Sequence, residues 1–396
     1  MSELFIEREH RVAPTELFFD LVFVFAFTQV TTLWLEHDSW SGLMRGLLVL
    51  AVLWWVWASY SWLTNIADAD AGLIWTVMVF ATAALFVAAL SVPGAFGPER
   101  LEFGVAFFAV VVAFVGLYAL VSKQEPDMLA AVLRMSRTVL PSAALILVAA
   151  FVPAPWRPPI WALAFVVGFF GPQLFGGTAG WRVHPAHFAE RHGLIVIIAV
   201  GESLSAIGFG ASGTHLAPAV IAAAVLGLLV AASFCFAYFD FAARGIERLL
   251  EQRRGAERVA LARDAYTYTH LPMIVGIVLF AFAMRTALAH VHSELDLIPA
   301  IALCCGGALY LLSFVALRWR VSHRLGRGRV IAALVLALIT PLALSISALL
   351  TLVLVTAVWF ALHAYELIWW REERARRRSE RTADHSPSTT QSSSAA

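Results

Sequence analysis

Charge is what this sequence has least of. Asp, Glu, Lys and Arg make up 14 % of its 396 residues, against about 25 % in an ordinary soluble domain. Too few charges are present to cover a surface that faces water. Lysine is almost missing, with Lys123 alone in a polar loop. That excludes a P-loop, which ends in Gly-Lys-Ser/Thr, and a Schiff base on a membrane-buried lysine. Three cysteines, Cys235, Cys304 and Cys305, all lie in apolar runs and exclude a disulfide framework. A net charge of +1 gives no footprint for nucleic acid. The low hydrophobicity that disorder requires is absent from most of the chain. Glu3, Glu7 and Glu9 stand where a signal peptide would be basic, so no cleavable signal is expected.

What is abundant is apolar: 60 % of the residues, with a mean hydropathy of +0.79. At about 20 residues per membrane helix this suffices for roughly twelve. Apolar runs between polar breaks predict spans near 16–35, 43–63, 71–92, 101–121, 133–152, 159–176, 190–210, 217–240, 265–287, 299–317, 329–345 and 348–369. The last two form one run broken only at Pro341 and Ser345–Ser347. As a single helix it would exceed about 60 Å, twice the hydrocarbon thickness, which predicts a tight hairpin. The expected fold is an all-α polytopic membrane bundle of about twelve helices. Its parts are a cytoplasmic N-terminus (1–15), a six-helix half (16–176), a second six-helix half (177–369) and a disordered cytoplasmic tail (370–396).

The few basic residues set the orientation. With twelve spans and a cytoplasmic N-terminus, 24 of the 28 fall on the cytoplasmic side. Arg45, Arg100, Arg157 and Arg285 fall outside. This predicts an inner (plasma) membrane protein with both termini cytoplasmic. Residues 241–263 read as an Arg-rich amphipathic connector between the halves.

The halves look related. Glu16 in span 1 and Glu190 in span 7 align at an offset of 174 residues, and Tyr60 and Tyr238 close the following spans 178 apart. A six-plus-six internal repeat is expected on this basis, with the site at its interface.

In so apolar a chain the informative residues are the polar ones inside spans. Glu202 sits near the middle of span 7, where a carboxyl can carry a proton or bind a cation. Asp20 lies one turn beyond the helix-entering Glu16, among Phe18, Phe19 and Phe23, and shares a stripe with Thr31. Arg191 shares a face with Glu202 but lies eleven residues, about 16 Å, away and cannot pair with it. Glu190, Gly201, Ser205 and Gly208 form a small-residue face expected to pack against another helix. Tyr266 and His270 precede Pro272 on one helix face and suit a relay, and Tyr238, in the aromatic cluster that ends span 8, is a further candidate. His184, His187 and Glu190 are candidates for a divalent metal, weakened by Pro185 and the missing further ligand. Gly171-Pro172-Gln173 is expected to bend span 6 at a polar point.

Pro14-Thr15-Glu16-Leu17 with FFDLVFVFA (18–26), HFAERHGLIVIIAVGES (187–203) and YTYTHLP (266–272) resemble the bacterial low temperature requirement A (LtrA) family, over roughly residues 10–370. The resemblance implies a bacterial polytopic inner-membrane protein linked to growth in the cold. The family's shared acids fall on Asp20, Glu190 and Glu202. Phe19-Asp20 also looks like the Phe-Ser-Asp motif of lysosomal-type potassium channels. Phe19 departs from its Ser, and Pro14 from the Arg expected before it.

The leading expectation is a transport-type protein for a proton, cation or small solute. Asp20, Glu202, Glu190 and Glu16 would bind the ion, and His270, Tyr266, Arg191 and Tyr238 would support or relay. The rivals are a metal-dependent membrane enzyme acting on lipid and a non-catalytic component of cold adaptation. No cofactor and no nucleic acid are expected. The lipid bilayer is the expected surrounding, and a homo-oligomer is left open.

Overall fold

A computed structural model describes residues 11–212, 215–240, 244–323 and 325–384, with the side chains of 175, 176, 244 and 369–384 undescribed. Every regular element among these residues is helical, and each apolar run has become a helix. In chain order these are α1 (Pro14–Glu36), α2 (Trp40–Thr64), α3 (Gly72–Leu90), α4 (Arg100–Val121), α5 (Pro126–Ala149) and α6 (Arg157–Gly176). The second half has α7 (Pro185–Ala211), α8 (Pro218–Tyr238), α9 (Arg244–Gln252), α10 (Gly255–Ala262), α11 (Thr269–Ala289), α12 (Leu297–Ser322), α13 (Arg327–Ala343) and α14 (Ala348–Asp384).

Ten of the described helices are long and apolar enough to cross a membrane. The two expected spans outside that group are α6 and α13, of 20 and 17 residues. Large apolar side chains are exposed along the spans, as lipid requires. On α1, Phe18 and Leu21 are 54 % and 60 % exposed, while Glu16 and Asp20 are 1 % and 0 %.

Proline sets several helix starts. Pro126 and Pro185 stand in the first turns of α5 and α7, where a missing N–H costs nothing. Both helices therefore begin before their apolar runs, at 126 rather than 133 and at 185 rather than 190. The predicted hairpin is present, with α13 ending at Ala343 and α14 starting at Ala348. The connector is two helices, α9 and α10, divided at Gly255, whose φ of +53° only glycine adopts readily. Ile246 and Leu250 are buried, so α9 docks on the protein. The tail expectation meets a helix: α14 continues to Asp384 through an Arg/Glu/Ala-rich stretch of good helix formers. Residues 385–396 lie outside the described ones.

From α10 the chain passes into α11 through one π-helical segment, Arg263–Tyr268, giving a 35-residue continuous helix, Gly255–Ala289. Pro272 brings no N–H to the turn before it. One carbonyl of that turn, Thr267 O, accepts instead from Trp54 Nε1 of α2 (2.9 Å). The Thr267 hydroxyl accepts from Trp62 Nε1 (2.9 Å). Two tryptophans of the first half thus hold the irregular turn of the second. α6, by contrast, continues as helix through Pro172, so Gly171-Pro172 does not end it.

Within the first half α1 packs on α2 and α3, α3 on α4, α4 on α5, α5 on α6, and α6 back on α2. In the second, α7 packs on α8 and α11, α11 on α12, α12 on α13, α13 on α14, and α14 back on α8. The first helices of the halves, α1 and α7, meet each other.

Candidate functional site: acids and an arginine between two parallel helices

α1 and α7 lie side by side and run the same way. Glu16 meets His187, Asp20 meets Arg191 and Thr31 meets Glu202, each pair 171 residues apart. Only a parallel pairing keeps a constant offset. Pro14 and Pro185 stand 171 apart as well.

At the N-terminal end of this seam is a fully buried polar cluster. Arg191 Nη2 donates to Asp20 Oδ1 (2.9 Å), and Nη1 lies 3.8 Å from Glu16 Oε1. Trp57 Nε1 of α2 also donates to Asp20 Oδ1 (2.9 Å), and the guanidinium sits 5.8 Å from the Trp57 ring. Glu16 Oε2 accepts from the Ala13 N–H (2.9 Å) and faces His187 Nε2 (3.0 Å). Glu16, Asp20, His187 and Arg191 are each at most 1 % exposed.

The network assigns the His187 tautomer. Asn65 Oδ1 accepts the His184 N–H (2.8 Å), so its Nδ2 is the donor, to His184 O (3.0 Å) and to His187 Nδ1 (3.2 Å). Nδ1 of His187 is therefore an acceptor, and its hydrogen sits on Nε2, donating to Glu16. The cluster holds two carboxyls against one guanidinium. Asp20 Oδ2, Glu16 Oε1 and Arg191 Nε and Nη1 make no hydrogen bond to any described residue.

Glu202 lies farther along the seam. It contacts α1 eight residues beyond Asp20, at Thr28, about 12 Å of helix rise. Its Oε2 is 2.5 Å from Thr28 Oγ1 and its Oε1 is 3.1 Å from Thr31 Oγ1. Thr28 Oγ1 is also 3.1 Å from Val24 O, and Thr31 Oγ1 2.9 Å from Thr28 O. Two hydroxyl hydrogens face four acceptor contacts if Glu202 is ionised; a carboxyl hydrogen makes three. Asp20 and Glu202 thus contact different residues of the seam, Arg191 and Trp57 for the one and Thr28 and Thr31 for the other.

Of the predicted relay residues, Arg191 binds Asp20 itself, while His270, Tyr266 and Tyr238 come together with Trp57 and His192 between them and Asp20. His270 Nδ1 donates to Ala265 O (3.0 Å), and Tyr238 OH donates to its Nε2 (2.9 Å). Tyr266 stacks on His270 with centroids 5.1 Å apart. His192, which sequence reasoning passed over, donates through Nδ1 to Phe188 O (2.8 Å) and lies 5.1 Å from His270 and 4.8 Å from Trp57. Trp57 therefore stands between Asp20 and the histidines.

Three of the sequence candidates are placed apart from the cluster. Glu190 is exposed, and its Oε2 accepts only from Val12 N (3.3 Å), so it joins no carboxyl site. His184, His187 and Glu190 are not brought together, and among the described residues no three metal-ligating side chains converge. The face of Gly201 and Gly208 packs on nothing: a Cβ at either would meet no atom within 4 Å. At 100° per residue, Glu190, Gly201 and Gly208 share the outward face, whereas Arg191 and Glu202, one residue on, share the inward one. Trp57 and Asn65 were missed because nothing in the sequence of α2 and its C-cap marks which of the many aromatic and polar residues there meets a helix about 120–135 positions away.

Comparison with known proteins agrees with this architecture. An uncharacterized protein of Rhizobium meliloti (strain 1021) is 29 % identical over 327 residues, covering 78 % of this chain and 77 % of its own. No solved structure matches the chain. The sequence model of the bacterial low temperature requirement A protein (LtrA) matches residues 11–364, nearly the whole length, and the chain belongs to that family.

Proposed function

We propose that this protein is a transport-type membrane protein that binds a proton or a monovalent cation at the Glu16–Asp20–Arg191 cluster. The observation that carries the reading is the composition of the buried cluster: two carboxyls against one guanidinium, with His187 Nε2 facing Glu16. Carboxyls in excess of guanidiniums are costly in a bilayer interior, and a proton or cation offsets that cost. Glu202 is a second proton carrier, consistent with the hydrogen shortage around Thr28 and Thr31.

The wider reading is a twelve-helix inner-membrane protein with both termini cytoplasmic and two six-helix repeats in parallel orientation. The matching order of helix contacts in the two halves and the parallel α1–α7 pair support the repeat. The placement of basic residues supports the orientation. A role in growth at low temperature belongs to this reading at family level.

The test is flux into proteoliposomes carrying a pH-sensitive or cation-sensitive dye. Wild type should outpace empty vesicles, and Asp20→Asn, which preserves an oxygen for Trp57 and Arg191, should abolish the flux. Glu202→Gln should change its pH dependence. The separate contacts of Asp20 and Glu202 favour a second reading, a non-catalytic membrane component. Wild-type vesicles no faster than empty ones would overturn the transport reading and leave that one standing.

A further inference from the structure

A second feature lies apart from the acid cluster. A cavity of about 110 Å³ opens between α2, α4, α5 and α6 on one side and α10 with the π-helical segment on the other. None of Glu16, Asp20, Arg191 or Glu202 lines it. Its walls are aromatic, chiefly Trp55, Trp62, Phe114 and Trp181. Trp62 and Trp181 meet edge to face with centroids 6.1 Å apart. Gly177 and Gly180, at φ of +61° and +88°, turn the chain so that Trp181 closes over the space. A dry cavity of about 150 Å³ admits a benzene ring. This one is smaller but opens past the exposed Gln173 and Gly177, so a single ring fits with its substituent out in the mouth.

The polar groups at the mouth are donors. Tyr268 OH donates to Gln173 Oε1, which leaves the Gln173 amide N–H₂ without a bond to any described residue. Arg263 binds Asp264 through Nε (2.8 Å) and Nη2 (2.7 Å), and its Nη1 makes no bond to a described residue. Arg320 also binds Asp264 (2.8 Å), so one carboxylate is shared by two guanidiniums and a positive charge is in excess. No Asp or Glu lines the cavity. Aromatic walls alone would accept a cation; this charge balance refuses one and suits an anion.

We propose that this cavity binds a single-ring aromatic carboxylate, with the ring between Trp62 and Trp181 and the carboxylate at Arg263 and the Gln173 amide. The proposal concerns binding and stands whether or not the Glu16–Asp20 cluster moves an ion.

The experiment is equilibrium binding of radiolabelled benzoate to the full-length protein in lipid nanodiscs, with unlabelled benzamide and benzylammonium as competitors. Benzoate should bind saturably at one site per chain. Benzamide, which keeps the ring and an acceptor but not the charge, should compete at concentrations roughly tenfold or more higher, the worth of a charge-assisted bond. Benzylammonium should not compete. Arg263→Gln should bring benzoate down to the affinity of benzamide, and Trp181→Ala should weaken both. Should Arg263→Gln not fold, Arg320→Gln removes the excess charge from an exposed position and should weaken benzoate about threefold without affecting benzamide. No saturable benzoate binding by wild type, equal competition by benzylammonium, or an unchanged benzoate-to-benzamide ratio in the arginine variants would each overturn the proposal. None of these outcomes bears on the flux assay.

Discussion

The protein contains two arginine–carboxylate clusters built from the same residue types in opposite proportions. Between α1 and α7 two carboxyls share Arg191, all but out of contact with solvent. Beside the cavity, Arg263 and Arg320 share Asp264, with Arg320 half exposed. One has an acid to spare and the other a base. Burial decides what each imbalance can do. In the interior an unmatched charge must be offset by a bound species, whereas near the surface water screens it and leaves a modest preference for anions.

The sharpest way to break this contrast is to remove each arginine in turn. Arg191→Met should cost about 3–5 kcal/mol of stability, because two carboxyls are left buried without a cation. Denaturant titration in detergent would measure it, and adding Glu16→Gln and Asp20→Asn should recover most of the loss. The same titration on Arg263→Met should show a loss of at most about 1 kcal/mol. Equal losses would mean that burial is not what separates the clusters.

Next in size is the wall between them. Trp54 stacks on Trp57, which holds Asp20, and donates to Thr267 O beside the cavity. Trp54→Phe keeps the ring and removes the indole donor to that carbonyl, at a cost of about 1 kcal/mol or more. Hydrogen exchange at residues 265–270 should quicken before the rest of α11.

A smaller effect is expected at Glu202. If it carries a proton, Glu202→Gln replaces one neutral group by another and should cost less than about 1 kcal/mol, and the infrared band of a protonated carboxyl should vanish with it. An unchanged spectrum would place the proton elsewhere. The smallest is Arg320→Gln, an exposed change expected to fall within about 0.5 kcal/mol of wild type.

Much of the fold was legible because spans are composition: each predicted apolar run lies on a helix, and the Pro341–Ser347 break falls where α13 turns into α14. Asp20, Glu202 and Arg191 were legible as rare charges in apolar surroundings. Their partners were not. That Arg191 serves Asp20 rather than the carboxyl on its own helix depends on a helix pairing 171 residues apart. The offset could not be fixed from the sequence, because helix faces repeat every three to four residues and neighbouring offsets look alike. Which way Glu190 faces was not legible for the same reason. A step of one residue, 100° of rotation, turns a side chain from the seam to the outside, and a family motif holding both acids does not say which faces in.

The parallel pairing of α1 and α7 has an electrostatic consequence. Antiparallel neighbours place opposite helix ends together, and their dipoles largely cancel. Here both positive ends, at Pro14 and Pro185, lie at the same level, each equivalent to about half an elementary charge. Glu16, in the first turn of α1, stands within reach of both, and their influence fades beyond that turn. Asp20, one turn deeper, has only Arg191 and Trp57. The two helix ends compensate the outer acid, so under the proposed function the proton or cation would sit at Asp20.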